Sequence, residues 1–156
     1  MKLIFDEQAL YAYLQGIQSA EKTISISCFK FHLPKKEKVL GTRVLLDHLL
    51  IAKRRGINIR ILIHFRQPRD QVTTANRDVI RELKAAKVNV RSLRNNRMCH
   101  AKFMIIDNTI GILGSHNLSM SSLRRNFEAS VVFTEDSIIA PLQNKFDDLF
   151  RTAQEL

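Results

Sequence analysis

The succession of elements in the sequence predicts an α/β fold, an α/β/α sandwich with one mixed, mostly parallel sheet flanked by helices. Three observations predict it. Short β-branched runs alternate with stretches whose apolar residues recur at helical spacing. Between Thr23 and His64 a strand, a helix and a second strand follow one another, the pattern of a right-handed parallel crossover. The chain has 156 residues, 45% hydrophobic and 26% charged, the size and composition of one domain with one sizeable core. Residues 1–156 are therefore expected to form a single domain.

The first helix opens at Asp6-Glu7-Gln8, with Asp6 expected to cap it, and Leu10, Tyr13, Leu14 and Ile17 face the core. Thr23 to Phe31 alternates as a strand, with Ile24, Ile26 and Cys28 on one face. Leu33 to Lys38 is a charged loop after that strand, where a substrate-facing loop could lie. Gly41 to Arg55 is a second helix with a broad leucine face, closed by Arg54-Arg55-Gly56: cations at its dipole end, then a glycine. Asn58 to His64 is nearly continuous in apolar residues, as in a buried central strand. After the loop at Gln67-Pro68-Arg69-Asp70, Thr74 to Ala86 is a third helix, and Val88 to Val90 a third strand. Ala129 to Thr134 is a further strand. The last helix starts at Asp136-Ser137, buries Leu142, Phe146, Leu149 and Phe150, and tolerates Pro141 only near its beginning.

The formal net charge of +10 points to a polyanionic partner, nucleic acid first and an anionic membrane surface second. No apolar run approaches the length of a membrane span. The two cysteines, Cys28 and Cys99, make neither a disulfide framework nor a metal-ligand spacing and read as reduced thiols of a cytoplasmic protein.

Chemistry concentrates between residues 100 and 128. His100 to Asp107 reads as a strand, so His100 and Lys102 point the same way. Asp107-Asn108 reads as a hairpin turn, Thr109 to Leu113 as the return strand, and Gly114-Ser115-His116-Asn117 as a small polar loop coming back beside His100. The arrangement suits a substrate anion. Histidine can act as nucleophile or general acid near neutral pH, and Lys102, Ser115 and Asn117 can meet the charge on nonbridging oxygens. No carboxylate cluster suggests magnesium or calcium, and Cys99, His100 and His116 lack zinc spacing. The expectation is therefore a metal-independent mechanism with no cofactor.

The pattern His100-x-Lys102-x4-Asp107-x6-Gly114-Ser115-x-Asn117 resembles the motif of the phospholipase D superfamily. The first half alone would arise by chance in roughly one chain of this length in a hundred, and the second lowers that by about three orders of magnitude or more. The order of elements resembles that fold over nearly the whole chain. The resemblance implies a phosphodiesterase in which one histidine forms a phosphohistidine intermediate and a second protonates the leaving group. It makes His100, Lys102 and Glu128 catalytic, with Glu128 hydrogen-bonded to the histidine, and Lys102, Ser115 and Asn117 the phosphate clamp. Asp107 and Gly114 are structural in the motif, with Asp107 holding the hairpin by turn hydrogen bonds.

Only one copy of the motif occurs, so the expected assembly is a homodimer with a composite site on its two-fold axis. Small size, a single motif and positive charge resemble the small endonucleases of that superfamily, with DNA or RNA as substrate. Hydrolysis of a phospholipid such as cardiolipin, or nucleic-acid binding without cleavage, are the alternatives. Arg94, Arg97, Arg124 and Arg125 could form a nucleic-acid rim, and Phe29, Phe31 and Phe65 read as core residues with base stacking as the second choice. His116 could contact substrate; His48 reads as a surface or packed helix residue. His64 stands where family members often carry an acid.

Overall fold

The structure is a computed structural model that describes residues 1–35 and 41–156. The end of the charged loop, from Lys36 to Lys38, lies outside the described residues. In chain order the elements are β1 (Lys2–Phe5), α1 (Gln8–Ser19), β2 (Thr23–Cys28), α2 (Thr42–Arg54), β3 (Asn58–Ile63), α3 (Gln71–Ala85) and β4 (Asn89–Ser92). Then follow β5 (Phe103–Ile106), β6 (Ile110–Gly114), α4 (Met120–Arg124), β7 (Ala129–Phe133), α5 (Asp136–Thr152) and β8 (Gln154–Glu155). The strands form one sheet in the order β1-β7-β6-β5-β2-β3-β4-β8.

The α/β sandwich and the mixed sheet agree with the sequence reading, but "mostly parallel" does not. Among the strands of the described residues, β2–β3 and β3–β4 pair parallel and the other five pairings are antiparallel. The reason is connection length. β5 and β6 are joined by Asp107-Asn108-Thr109, and a turn that short can only return the chain antiparallel. Asp107 and Asn108 both take left-handed φ, 51° and 56°, as the tight hairpin requires.

Alternation along the strands divides the interior in two. Met104 and Ile106 of β5 join Ile24, Ile26, Ile59 and Ile61 beneath α1, α2 and α3. Phe103 and Ile105 face the other way and pack with Phe133, Ile139, Phe146 and Phe150 on the side of α5. β2 and β3 are buried along most of their length; Ser25 and Ser27 are buried polar residues of β2, and Asn58 and Arg60 are the less buried positions of β3.

Several ends differ from expectation for local reasons. Asp6 does not cap α1 with its side chain; its φ is 48° and its carboxylate accepts from the Glu128 amide at 3.0 Å. α3 begins three residues earlier than read, because Asp70 is its N-cap and accepts from the Thr73 amide at 2.7 Å. Gly56, with φ 91°, ends α2 as anticipated. Pro141 falls inside α5, one turn past its start. Leu142 and Leu149 are only partly buried, and Ile139 and Gln143 share the inner face with Phe146 and Phe150. Among the described residues no helix is long and apolar enough to cross a membrane.

Candidate active site

The site gathers at the sheet edge where β2 and β3 end and β5 begins. His100 and Lys102 precede β5 rather than lie in it, since the strand starts at Phe103. The chain is nevertheless held there, because the Gly114 amide donates to the Lys102 carbonyl at 3.2 Å. Lys102 Nζ lies 3.1 and 3.3 Å from Nδ1 and Nε2 of His100 and donates to the His100 carbonyl at 2.7 Å. The His100 ring is exposed, whereas Lys102 is 9% exposed. Burial lowers the Lys102 ammonium below the usual lysine value, although the Glu128 charge opposes this. Burial and then the Lys102 charge hold His100 below the usual histidine value, which favours the neutral ring.

Phe29 is the wall of this corner. Its ring centroid lies 4.7 Å from that of His100 and 5.0 Å from that of His64, and Lys102 Nζ sits 5.3 Å from its centre. Behind it, buried His64 meets Asp70 at 2.8 Å, which draws the Asp70 carboxyl down to about 2. Asn76 braces the same region by donating to the carbonyls of Phe29 (3.0 Å) and His64 (2.8 Å). Phe31 is fully buried and Phe65 packs on the core.

Gly114 turns the chain from β6 into the polar loop. A Cβ there would meet Ser130 Oγ at 2.0 Å, the Ala129 carbonyl at 2.4 Å and Ser130 Cα at 2.5 Å, so the close approach of β7 requires glycine. That approach lets the Ser115 amide donate to the Ala129 carbonyl at 3.0 Å and brings Ser115 Oγ onto Glu128. Glu128 also accepts from Ser122 Oγ at 2.8 Å and Asn126 Nδ2 at 3.2 Å. Burial would raise this carboxyl, but the three donors outweigh it and hold it below the ordinary glutamate value. The carboxylate is thus engaged by hydroxyls and an amide of its own chain, where the sequence reading had it on the histidine. The Asn117 backbone donates to Ser122 Oγ at 2.8 Å, and its Oδ1 is buried without a hydrogen-bond partner among the described residues.

Asp107 sits at the opposite end of the hairpin. Its carboxylate accepts from the amides of Glu21, Lys22 and Thr23 at 2.8, 2.8 and 2.7 Å, so it ties the start of β2 rather than its own turn. His116 is buried between Ser130 Oγ (2.7 Å) and the Asp6 carbonyl (2.9 Å), and His48 meets Gln18 on the helix surface. Of the arginine rim, Arg94 donates to the Thr152 carbonyl and Arg124 is paired with Glu7 at 2.6 Å. Arg97 and Arg125 are exposed on the two flanks, one beside His100 and the other near Glu128.

Sequence reasoning missed the structural parts of Ser122, Asn126 and Asp6, which carry no periodic signal. The Asp70-x-x-Thr73 capping pattern was visible and would have placed the start of α3.

A histidine and a buried lysine beside a glycine-serine loop, on a mixed sheet between helix layers, define a phospholipase D-type domain. Residues 13–150 match the family described as cardiolipin synthase, PLD-like domain. The chain belongs to this family of the phospholipase D superfamily. It is 27% identical over 144 residues to the probable cardiolipin synthase YwiE of Bacillus subtilis, covering 92% of this chain but 27% of that protein. The chain thus spans under a third of that relative's length. Among solved structures it resembles Nuc, a phospholipase D family member from Salmonella typhimurium (TM-score 0.81, 20% identity, 99% of this chain and 96% of that one). It also resembles NucT from Helicobacter pylori (TM-score 0.78, 19% identity, 99% of each chain).

Proposed function

We propose that this protein hydrolyses phosphodiesters of nucleic acid without a metal ion, as a non-specific endonuclease. The observation that carries the reading is the contact of exposed His100 with buried Lys102. A neutral ring beside a buried ammonium that meets no carboxylate among the described residues offers a nucleophile and an anion receptor together. The net charge of +10 and the near-complete overlap with the small Nuc and NucT chains support nucleic acid as substrate.

In this mechanism a His100 nitrogen attacks phosphorus, forming the P–N bond as the P–O bond to the leaving strand breaks. The leaving oxygen takes a proton from His100 of a second copy. Water then attacks phosphorus, giving a proton back to that second histidine as the P–N bond breaks, which frees His100 as the neutral ring and releases the phosphate monoester. Lys102, Ser115 and Asn117 hold the nonbridging oxygens, and Glu128 orients the Ser115 hydroxyl. The assembly is a homodimer whose two-fold axis passes through the site. A cytoplasmic location fits the free, buried thiols of Cys28 and Cys99.

A second reading, hydrolysis or exchange on a phospholipid, is favoured by one feature besides the sequence relatives. A cavity of about 340 Å³ walled by Leu62, Leu93, Met98, Leu142 and Phe146 opens at His100, and could accept an acyl chain. One assay separates the two. The protein and His100→Ala are incubated in EDTA with single-stranded DNA, duplex DNA, RNA and cardiolipin-containing vesicles. Nucleic-acid cleavage lost in the variant supports the first reading; headgroup release alone replaces it with the second. A strictly monomeric enzyme fully active at high dilution would refute the composite site.

A further inference from the structure

Beside the site, on the flank away from the apolar cavity, two phenylalanines stand out in solvent. Phe127 is 85% exposed and Phe5 43% exposed. Their rings are parallel within 10°, with centroids 6.5 Å apart. A phenylalanine left in water forgoes the stabilisation that burial of its ring would give. Neither ring hangs on a loose segment. Phe5 ends β1 and pairs with Ala129 of β7. The Asp6 amide donates to the Glu128 carbonyl, and the Glu128 amide donates back to the Asp6 carboxylate, both at 3.0 Å. The platform is therefore rigid, and one peptide bond separates Phe127 from the carboxylate that holds Ser115.

Its surroundings carry charges of both signs. Phe127 lines an open recess of about 450 Å³ with Arg124, Arg125, Asn126, Asp6 and Glu7. Glu7 is neutralised by its ion pair with Arg124; Asp6 keeps its charge while accepting from the Glu128 amide, and Arg125 stands exposed. Parallel aromatic faces beside an exposed guanidinium match a strand of nucleic acid whose bases are free to stack. In a duplex those faces are covered by neighbouring base pairs, and only edges and backbone are presented.

We propose that Phe127 and Phe5 form a stacking platform for unpaired nucleobases flanking the phosphate at His100, with Arg125 meeting the backbone, so that the preferred substrate is single-stranded. This rests on the reading of the site as one that acts on nucleic acid. The test uses the full chain carrying His100→Ala, which binds without cutting, and compares it with the same protein carrying Phe127→Ala or Phe127→Tyr. Fluorescence anisotropy reads binding to labelled oligothymidylate, an abasic deoxyribose-phosphate oligomer of equal length, and a duplex.

The expected result is a loss of about tenfold on oligothymidylate for Phe127→Ala, under twofold on the abasic oligomer and the duplex, and recovery with Phe127→Tyr. Equal loss on all three probes, or no loss, overturns the platform. So does a fall in oligomeric mass in the alanine variant, which would make the rings a subunit contact. Weakened binding to anionic vesicles with unchanged oligonucleotide binding overturns it in favour of a lipid surface. Wild-type cleavage of duplex in preference to single strands would end the platform and leave the nuclease intact; cleavage of no nucleic acid at all would end the nuclease reading itself.

Discussion

The two ends of the β5–β6 hairpin each carry a carboxylate held below its ordinary pKa, and they do different work. At the closed end Asp107 accepts three backbone amides from residues 21–23, whose positions the sheet fixes. At the open end Glu128 accepts two hydroxyls and a carboxamide, all on side chains that can rotate. Backbone donors lock an acid into the fold. Side-chain donors leave it able to exchange partners when an anion or another chain arrives. The two carboxylates thus divide into one that builds the sheet and one that stands with the polar groups at the open end of the hairpin.

The largest effect that would sharpen this contrast comes from the open end. His100→Ala should lower nucleic-acid cleavage by at least about a thousandfold, while its melting temperature stays within a few degrees of wild type, because the ring is exposed. Cleavage kinetics beside a thermal melt check both halves. Asp107→Ala should do the reverse. Loss of three charge-assisted hydrogen bonds should destabilise the protein by about 3 kcal/mol, roughly 10 °C in Tm, with activity per folded molecule retained. Burial raises the Asp107 carboxyl and the three amides pull it below its ordinary value. The stability it contributes is then full above the unfolded value, near 3.9, and is lost as pH falls through the lower folded value. Urea melts between pH 7 and 2 should show the wild type converging on the variant at the acid end. If Asp107→Ala were as stable as wild type, the division between the two ends would collapse.

Gly114→Ala tests the joint between them. The new Cβ would sit 2.0–2.5 Å from Ser130 and the Ala129 carbonyl. β7 would have to shift, at about 2 kcal/mol, and Glu128 with it, so this variant should lose both stability and activity. Chemical denaturation and turnover, measured together, would show whether the two losses are linked.

Much of this was legible in the sequence, and the illegible part has a physical pattern. His100, Lys102, Gly114 and Ser115 were named from the motif and its resemblance to a family, and a tight hairpin brings the two halves of that motif to one end of β5 and β6 by local geometry. The hairpin turn at Asp107-Asn108 followed from residue type; its left-handed backbone is seen only in the structure. What spacing could not supply was the partner of each polar group. Asp107 reaches 86 residues back to Glu21, and Glu128 meets Asp6 across 122 residues. Such pairings depend on strand order, which puts β5 beside β2 and β7 beside β1. The parallel share of the sheet was overestimated for the same reason: the crossover between β2 and β3 announces itself, whereas the placement of β1 and β8 at the edges does not.

The smallest expected effect examines the open end most directly. Lys102 Nζ lies 3.1 Å from a His100 ring nitrogen, and its charge is the second cause, after burial, that lowers the histidine. Lys102→Met fills nearly the same volume without the charge. Removing a like charge favours the imidazolium, so the His100 pKa should rise toward its ordinary value. Ring-proton NMR titration reads this directly, without reference to any substrate. In turnover the same substitution should move the acid limb of kcat/KM to higher pH, since a larger share of the nucleophile is protonated at a given pH. The Asp107 end predicts no such coupling: Asp107→Asn should leave the His100 titration where it is. Should Lys102→Met lower the His100 pKa or leave it fixed, the ammonium would not be acting on the ring, and the pairing of nucleophile with anion receptor would have to be redrawn.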